Sequence, residues 1–189
     1  VNDVTAPFGH DVRPSARPYA QRKQLWTHDA KLKGLSLYLA VVQKNLNADL
    51  IFLVNASGDT IAASNWDQEG SPIGTNYADR DWYLANKEGR PSFQYAMGRA
   101  TPVPGLYFAS PVMQSGRYVG SVVVKVDLPK LSFLITQTDA YLTDEYGVII
   151  LAQDKSIEMQ ALPDAAVFSL SEQARQARSA RTNFTKRDP

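Results

Sequence analysis

The stretch "DLIFLVNASGDTIAAS", residues 49–64, reads as two β-rich runs flanking the turn "NASGD". Gly58 stands where a hairpin turn needs a positive φ. A second stretch, "AYLTDEYGVIILAQ", residues 140–153, follows the same logic of strand, Asp-x-x-Gly turn and strand. Val54-Asn55 and Gly58 align with Thr143-Asp144 and Gly147. This internal repeat predicts two related α/β units in tandem.

Upstream, Leu25, His28, Leu32, Leu35, Leu39, Val42 and Leu46 recur at alternating spacings of three and four. That heptad-like stripe, interrupted by His28, predicts one long helix over 19–47, roughly 40 Å long at the α-helical rise. The stripe packs on the protein's own sheet, pairs with a second copy, or does both on different stretches. Residues 1–18 hold Pro7, Pro14, Pro18 and Gly9 without periodicity and are expected to form an irregular arm.

Downstream, "YADRDWYLANKEG" has helical spacing and a stop at Gly89. "SFQYAMGRA", "GLYFASPVM" and "RYVGSVVVKVDL" are strands, the last two joined by the turn "QSG". A five-stranded sheet follows, with the long helix on one face and the short helix and loops on the other. "PKLSFLITQT" is a short helix, and "SLSEQARQARSARTNF", residues 169–184, a Ser-capped helix with little apolar face. The second unit is expected to be the smaller.

Composition narrows the function. The chain has 189 residues, 44% hydrophobic and 21% charged, with a net charge of +1. These are globular values without the basic excess of a nucleic-acid binder. The absence of cysteine excludes disulfides, zinc–thiolate sites and cysteine nucleophiles. His10 and His28 make a poor metal or catalytic pair, and no cofactor is expected. No nucleotide-binding or hydrolase motif is present, so an enzyme is the least favoured class. No apolar run approaches the roughly 18 residues of a membrane span. The chain begins with Val and is read as a fragment of a longer protein, with any membrane segment lying outside it.

In order, "DTIAASNW", "GTNYADRDWY", "YAMGRAT", "PGLYFASPV", "GSVVVKVDL" and "LTDEYGVII" resemble the extracytoplasmic double-Cache sensor domains of bacterial receptors. These are tandem PAS-like folds, and the similarity is strongest to sensor histidine kinases for four-carbon dicarboxylates. The resemblance spans about residues 20–162. It implies an α+β fold in which a long N-terminal helix precedes two tandem PAS-like domains with antiparallel sheets. The membrane-distal, ligand-binding domain would cover 48–130, and the smaller membrane-proximal one, with the C-terminal helix, 131–189. It also implies an extracytoplasmic, membrane-anchored location, a homodimer through the long helix, and transfer of a conformational signal to a cytoplasmic output.

By that resemblance, ligand contacts fall on Tyr77, Arg80, Trp82 or Tyr83, and Lys125. Arginine grips one carboxylate as a fork and lysine a second as a point charge. Read from the residues alone, Arg80 shares a helical face with Tyr77, Tyr83 and Leu84, away from its neighbours Asp79 and Asp81. Alternation in "SVVVKVDL" puts Ser121, Val123, Lys125 and Asp127 on one face. The opposite face, Val122, Val124, Val126 and Leu128, is taken as the core, so Lys125 either contacts ligand or faces water. Tyr95 and Tyr107 are candidate hydroxyl contacts or core packing. Where the family carries small hydroxyl residues after the Gly of "GRAT", this chain has Arg99, then Ala100 and Thr101. Arg99 is read as pointing outward; an inward orientation would add a third cation. Ala100 and Thr101 are expected to offer backbone donors. A dicarboxylate is favoured over an amino acid, because Lys125 repels an ammonium. A ligand-free dimerisation domain is the alternative from another class.

Overall fold

The computed structural model describes residues 18–101, 103–136 and 139–171, and the backbone of 185–186. The arm expected over 1–18, apart from Pro18, and most of the helix expected over 169–184 lie outside the described residues.

The stripe over 19–47 forms two helices rather than one: α1 (Tyr19–His28) and α2 (Ala30–Leu46). Asp29 is the break. Its backbone is extended, and its carboxylate accepts the amides of Lys31 at 2.9 Å and Leu32 at 3.0 Å. An aspartate at this point satisfies first-turn donors and starts a helix more readily than it continues one. The helix α2 ends at Asn47, left-handed at φ 51°, whose amide returns to the carbonyls of Gln43 and Lys44. Leu32 and Leu39 are buried, and Leu35 and Val42 pack beside them against Ile51, Leu53, Val122 and Val124. Leu25 and Leu46, at the ends of the stripe, are exposed.

The strands are β1 (Leu50–Asn55), β2 (Thr60–Ala63), β3 (Ser92–Met97), β4 (Pro104–Gln114) and β5 (Arg117–Asp127). They form one sheet in the order β2-β1-β5-β4-β3. The strand β1 is antiparallel to both neighbours, pairing Leu50 with Lys125 and Phe52 with Val123. Ser115 and Gly116, both at positive φ, make the tight β4–β5 turn. Between β2 and β3 lies α3 (Asp81–Lys87). The face of Ser121, Val123 and Lys125 is not the exposed side of the sheet. All three are buried, so β5 is covered on both faces: α2 packs on one, aromatic side chains on the other. Alternation assigns residues to faces but cannot say how many faces are covered.

The chain divides into two compact units. The first is Val1–Phe93, Arg99–Pro102 and Tyr107–Lys125; the second is Gln94–Gly98, Val103–Leu106 and Val126–Pro189. The second contains a 3₁₀ helix (Leu128–Leu134) and the hairpin β6 (Tyr141–Thr143) and β7 (Ile149–Ala152). Its cores are a cluster of Tyr95, Leu128 and Ile150 and another of Val148, Ala161, Ala165 and Val167.

The two hairpins share one hydrogen-bond scheme. Asn55 Oδ1 accepts the amides of Ser57 and Asp59; Asp144 Oδ1 accepts those of Tyr146 and Val148. Gly58 donates to the Asn55 carbonyl as Gly147 does to that of Asp144. Both glycines are left-handed, at φ 84° and 80°. The side-chain acceptor and the glycine together close the turn, which is why the repeat is legible at those positions.

Candidate functional site

The candidate site lies in the first unit and begins with the chain ahead of α3. The 74–77 segment runs beside 58–60: Gly74 donates to the Thr60 carbonyl, Thr60 to that of Thr75, and Tyr77 to that of Gly58. Asn76 Oδ1 then accepts the amide of Ala78 at 2.9 Å, and Arg80 donates to the Tyr77 carbonyl. These turns hold residues 77–80 out of the helix. Arg80 is its N-cap, extended at φ −77°, ψ 140°. The helical face expected for Arg80, Tyr77, Tyr83 and Leu84 therefore does not exist: Leu84 is exposed while the other three are buried. The turn chemistry of Asn76 overrides the helical spacing.

Turn and helix together build an aromatic wall on the sheet face opposite α2. Phe52 from β1 lies 5.3 Å from Tyr77, 6.2 Å from Trp82 and 6.5 Å from Tyr107 between ring centroids. Trp82 is fully buried, with Tyr77 at 5.8 Å and Tyr83 at 6.2 Å. The Tyr83 hydroxyl donates to the Ala56 carbonyl at 2.7 Å, which commits its proton to the hairpin.

Two cations join this wall. Arg80 is 8% exposed and Lys125 is 4% exposed. The Lys125 ammonium is 5.9 Å from the Tyr107 ring centroid, within cation–π range. Burial pulls the Arg80 guanidinium below its ordinary pKa, and the charge of Arg99 adds to this, against the opposing pull of Tyr107, Tyr77 and Asp79. Burial pushes the Tyr77 hydroxyl up to about 12, against the charges of Arg80 and Arg99. The charges of Arg80 and Arg99 thus reach Tyr77; Arg80 and Tyr107 influence each other; and Lys125 joins this group at the Tyr107 ring.

Arg99 is neither buried nor free in solvent. Its Nη1 donates to the Asn76 carbonyl at 2.7 Å, its Nη2 pairs with the Asp79 carboxylate, and Cζ lies 5.4 Å from the Tyr77 ring centroid. Burial raises the Asp79 carboxyl, but the hydrogen bond and charge of Arg99, with Arg80 behind it, hold it below its ordinary value. Ala100 is half-buried and Thr101 exposed. Tyr95 is placed in the second unit, packed with Leu128 and Ile150.

Sequence reading missed a polar latch behind this segment. Asp59, 1% exposed, accepts a hydrogen bond from Asn76 Nδ2 at 2.8 Å and faces Arg22 Nε at 3.5 Å. Arg22, from α1, also donates through Nε and Nη2 to the Gly74 carbonyl at 3.1 and 3.0 Å. A Cβ on Gly74 would stand 3.0 Å from the Lys23 nitrogen, so helix and segment meet backbone to backbone. The available signal was an acidic residue opening the apolar strand "TIAA".

Among the described residues, no group of three His, Cys, Asp or Glu is placed to hold a metal ion, and no helix is long and apolar enough to cross a membrane. No family model matches the chain. The C4-dicarboxylate transport sensor protein DctB of Pseudomonas aeruginosa is 37% identical over 116 residues, 60% of this chain. The protein of the same description in Rhizobium meliloti is 32% identical over 123 residues, 64% of this chain. The chain spans about a fifth of the length of these relatives, 19% and 20%. Among solved structures, the sensor domain of the V. cholerae histidine kinase DctB superposes with a TM-score of 0.71 at 25% identity, over 92% of this chain and 68% of that one. The ligand-binding domain of the P. aeruginosa amino acid chemoreceptor PctB, in complex with L-Arg, shares the fold at a TM-score of 0.55 and 20% identity, over 77% of this chain and 64% of that one. The chain is homologous to these C4-dicarboxylate sensor proteins, shares the fold of the DctB sensor domain and is extracytoplasmic.

Proposed function

We propose that this homologue of dicarboxylate sensor proteins binds a small dicarboxylate in its first unit and passes a conformational signal across the membrane. The observation that carries the reading is the pair of buried cations, Arg80 and Lys125, set in the aromatic wall of Tyr77, Trp82 and Tyr107. A guanidinium fork and an ammonium point charge suit the two ends of a diacid, and the rings exclude water between them. The names of the relatives support the same ligand class. In this reading the chain has no catalytic role, and the two equivalent hairpins belong to tandem PAS-like domains of a double-Cache sensor. A homodimer through the N-terminal helices is part of the reading. It is supported by Leu37, Tyr38 and Val41, which form an exposed apolar face on α2.

Thermal melts against dicarboxylates, monocarboxylates and amino acids test it. A ligand at a hundredfold excess over its Kd contributes about 2.7 kcal/mol. For a chain of this size that raises Tm by about 5–10 °C. The dicarboxylate shift should vanish in Arg80→Gln and Lys125→Met. A shift with amino acids alone would replace the ligand class, and no shift with any anion would leave an interaction domain.

A further inference from the structure

Arg99 stands at the edge of the candidate site with a partner from its own chain. The Asp79 it pairs with lies between Tyr77 and Arg80 in sequence, and about two-thirds of that side chain is open to solvent, 65%. The guanidinium also lies over the Tyr77 ring and holds the Asn76 carbonyl. These two polar contacts use two of the five donors that an arginine carries. The Asn76 contact leaves the group anchored while its Asp79 edge changes partners. Exchanging one carboxylate for another there preserves charge and hydrogen-bond type. The released Asp79 is already solvated enough to stand alone in water. The charge of Arg99 is also felt at both Tyr77 and Arg80, so an anion in the site would feel it in turn.

We propose that Arg99 is a specificity-determining residue: Asp79 holds it in the unliganded protein, and a third carboxylate of the ligand takes the place of Asp79. The chain then prefers a small tricarboxylate to the dicarboxylate of the same skeleton. This rests on the diacid reading of Arg80 and Lys125 and adds to it a third anionic position. The competing account is a surface clamp that merely ties the 99–101 turn to the 76–79 segment.

Calorimetry with butanedioate and propane-1,2,3-tricarboxylate separates the two, since the second acid is the first with one carboxymethyl arm added. A charge-assisted contact at a partly exposed arginine gives about a five- to tenfold preference for the triacid in the wild-type chain. Arg99→Gln keeps hydrogen-bonding capacity but loses the charge, and should bring the ratio of the two dissociation constants close to one. Arg99→Ser repeats the charge removal with a smaller side chain. Asp79→Asn removes the internal competitor and should strengthen triacid binding several-fold. Arg90→Gln, a charge change at the exposed Arg90–Glu88 pair, should leave the ratio alone. A ratio unchanged by Arg99→Gln or Arg99→Ser, in variants that melt cooperatively, overturns the proposal, because a clamp would move only Tm. Wild-type binding of the diacid in preference to the triacid overturns this inference alone. Binding of neither acid overturns the diacid reading beneath it as well.

Discussion

Replacing Asp59 tests whether a buried polar latch, rather than apolar packing, holds α1 against the candidate site. No residue of α1 is fully buried: Trp26 packs partly on the sheet core, while Tyr19 and Leu25 are exposed. Asp59→Ala removes the acceptor of Asn76 Nδ2 at 2.8 Å and the carboxylate facing Arg22 at 3.5 Å. A hydrogen bond to a charged acceptor contributes about 1.5–3 kcal/mol. Stripping one partner from a buried ion pair costs about 3–5 kcal/mol. Arg22 is only partly buried, with 16% of its side chain exposed, and keeps the Gly74 carbonyl. The lower end therefore applies, and Asp59→Ala should cost about 3 kcal/mol, or about 6–12 °C in Tm. Asp59→Asn keeps the size and the Oδ1 acceptor. The Oδ2 it replaces is buried without a hydrogen-bond partner among the described residues, and the NH2 group put there is a buried donor. The substitution should therefore lose the ion pair, about 1 kcal/mol, and add the cost of that donor, about 1–3 kcal/mol. Urea unfolding of Asp59→Ala, Arg22→Gln and the double variant gives the coupling directly, expected at about 1–2 kcal/mol. Since Asn76 leads into Tyr77 and Arg80, Asp59→Ala should also weaken ligand binding. A loss below about 1 kcal/mol, or strict additivity with Arg22→Gln, would refute the latch.

Gly58→Ala should destabilise by about 2 kcal/mol or more in the same urea assay: at φ 84° an alanine is strained, and its Cβ would stand 2.7 Å from the Ala78 nitrogen. The Arg99–Asp79 pair should make the unliganded protein pH-dependent. A depressed folded-state carboxyl adds stability above its unfolded value, ordinarily 3.8, and that stability is lost as pH falls through the lower folded value. Wild type should therefore melt above Asp79→Asn at pH 6, by a surface-pair margin under about 1 kcal/mol, and the gap should close on acidification below about pH 4. A gap that persists in acid would mean that charge is not its source. Val41→Glu places a charge in the exposed apolar face of α2, and should weaken the proposed self-association at least tenfold by sedimentation; an unchanged association state would refute this face as the interface.

The hairpins were legible because their information is local. In each, a side-chain acceptor and, three residues later, a glycine at positive φ close the turn, and apolar runs flank it. The strands of the sheet and the tight turn at Ser115-Gly116 were readable for the same reason. The helix was harder to read. The heptad spacing runs through Asp29, yet a capping aspartate interrupts it, because first-turn hydrogen bonds outweigh continuity of a stripe that His28 already breaks. The assignment of Arg80 to a helical face failed similarly, since Asn76 winds the preceding residues into turns.

Sequence by itself determined the α+β class, the five strands and two hairpins, because spacing and turn chemistry act over a few residues, and it offered Arg80, Arg99 and Lys125 as candidate cations. Only the tertiary structure decided where those side chains stand. It buried Lys125 by covering both faces of β5, placed Tyr95 in the second unit, and gave Arg99 to Asp79. It also tied Arg22 to Asp59 across thirty-seven positions. Burial and pairing of charge depend on which segments meet, and contacts between segments far apart in sequence leave no periodic trace in either one.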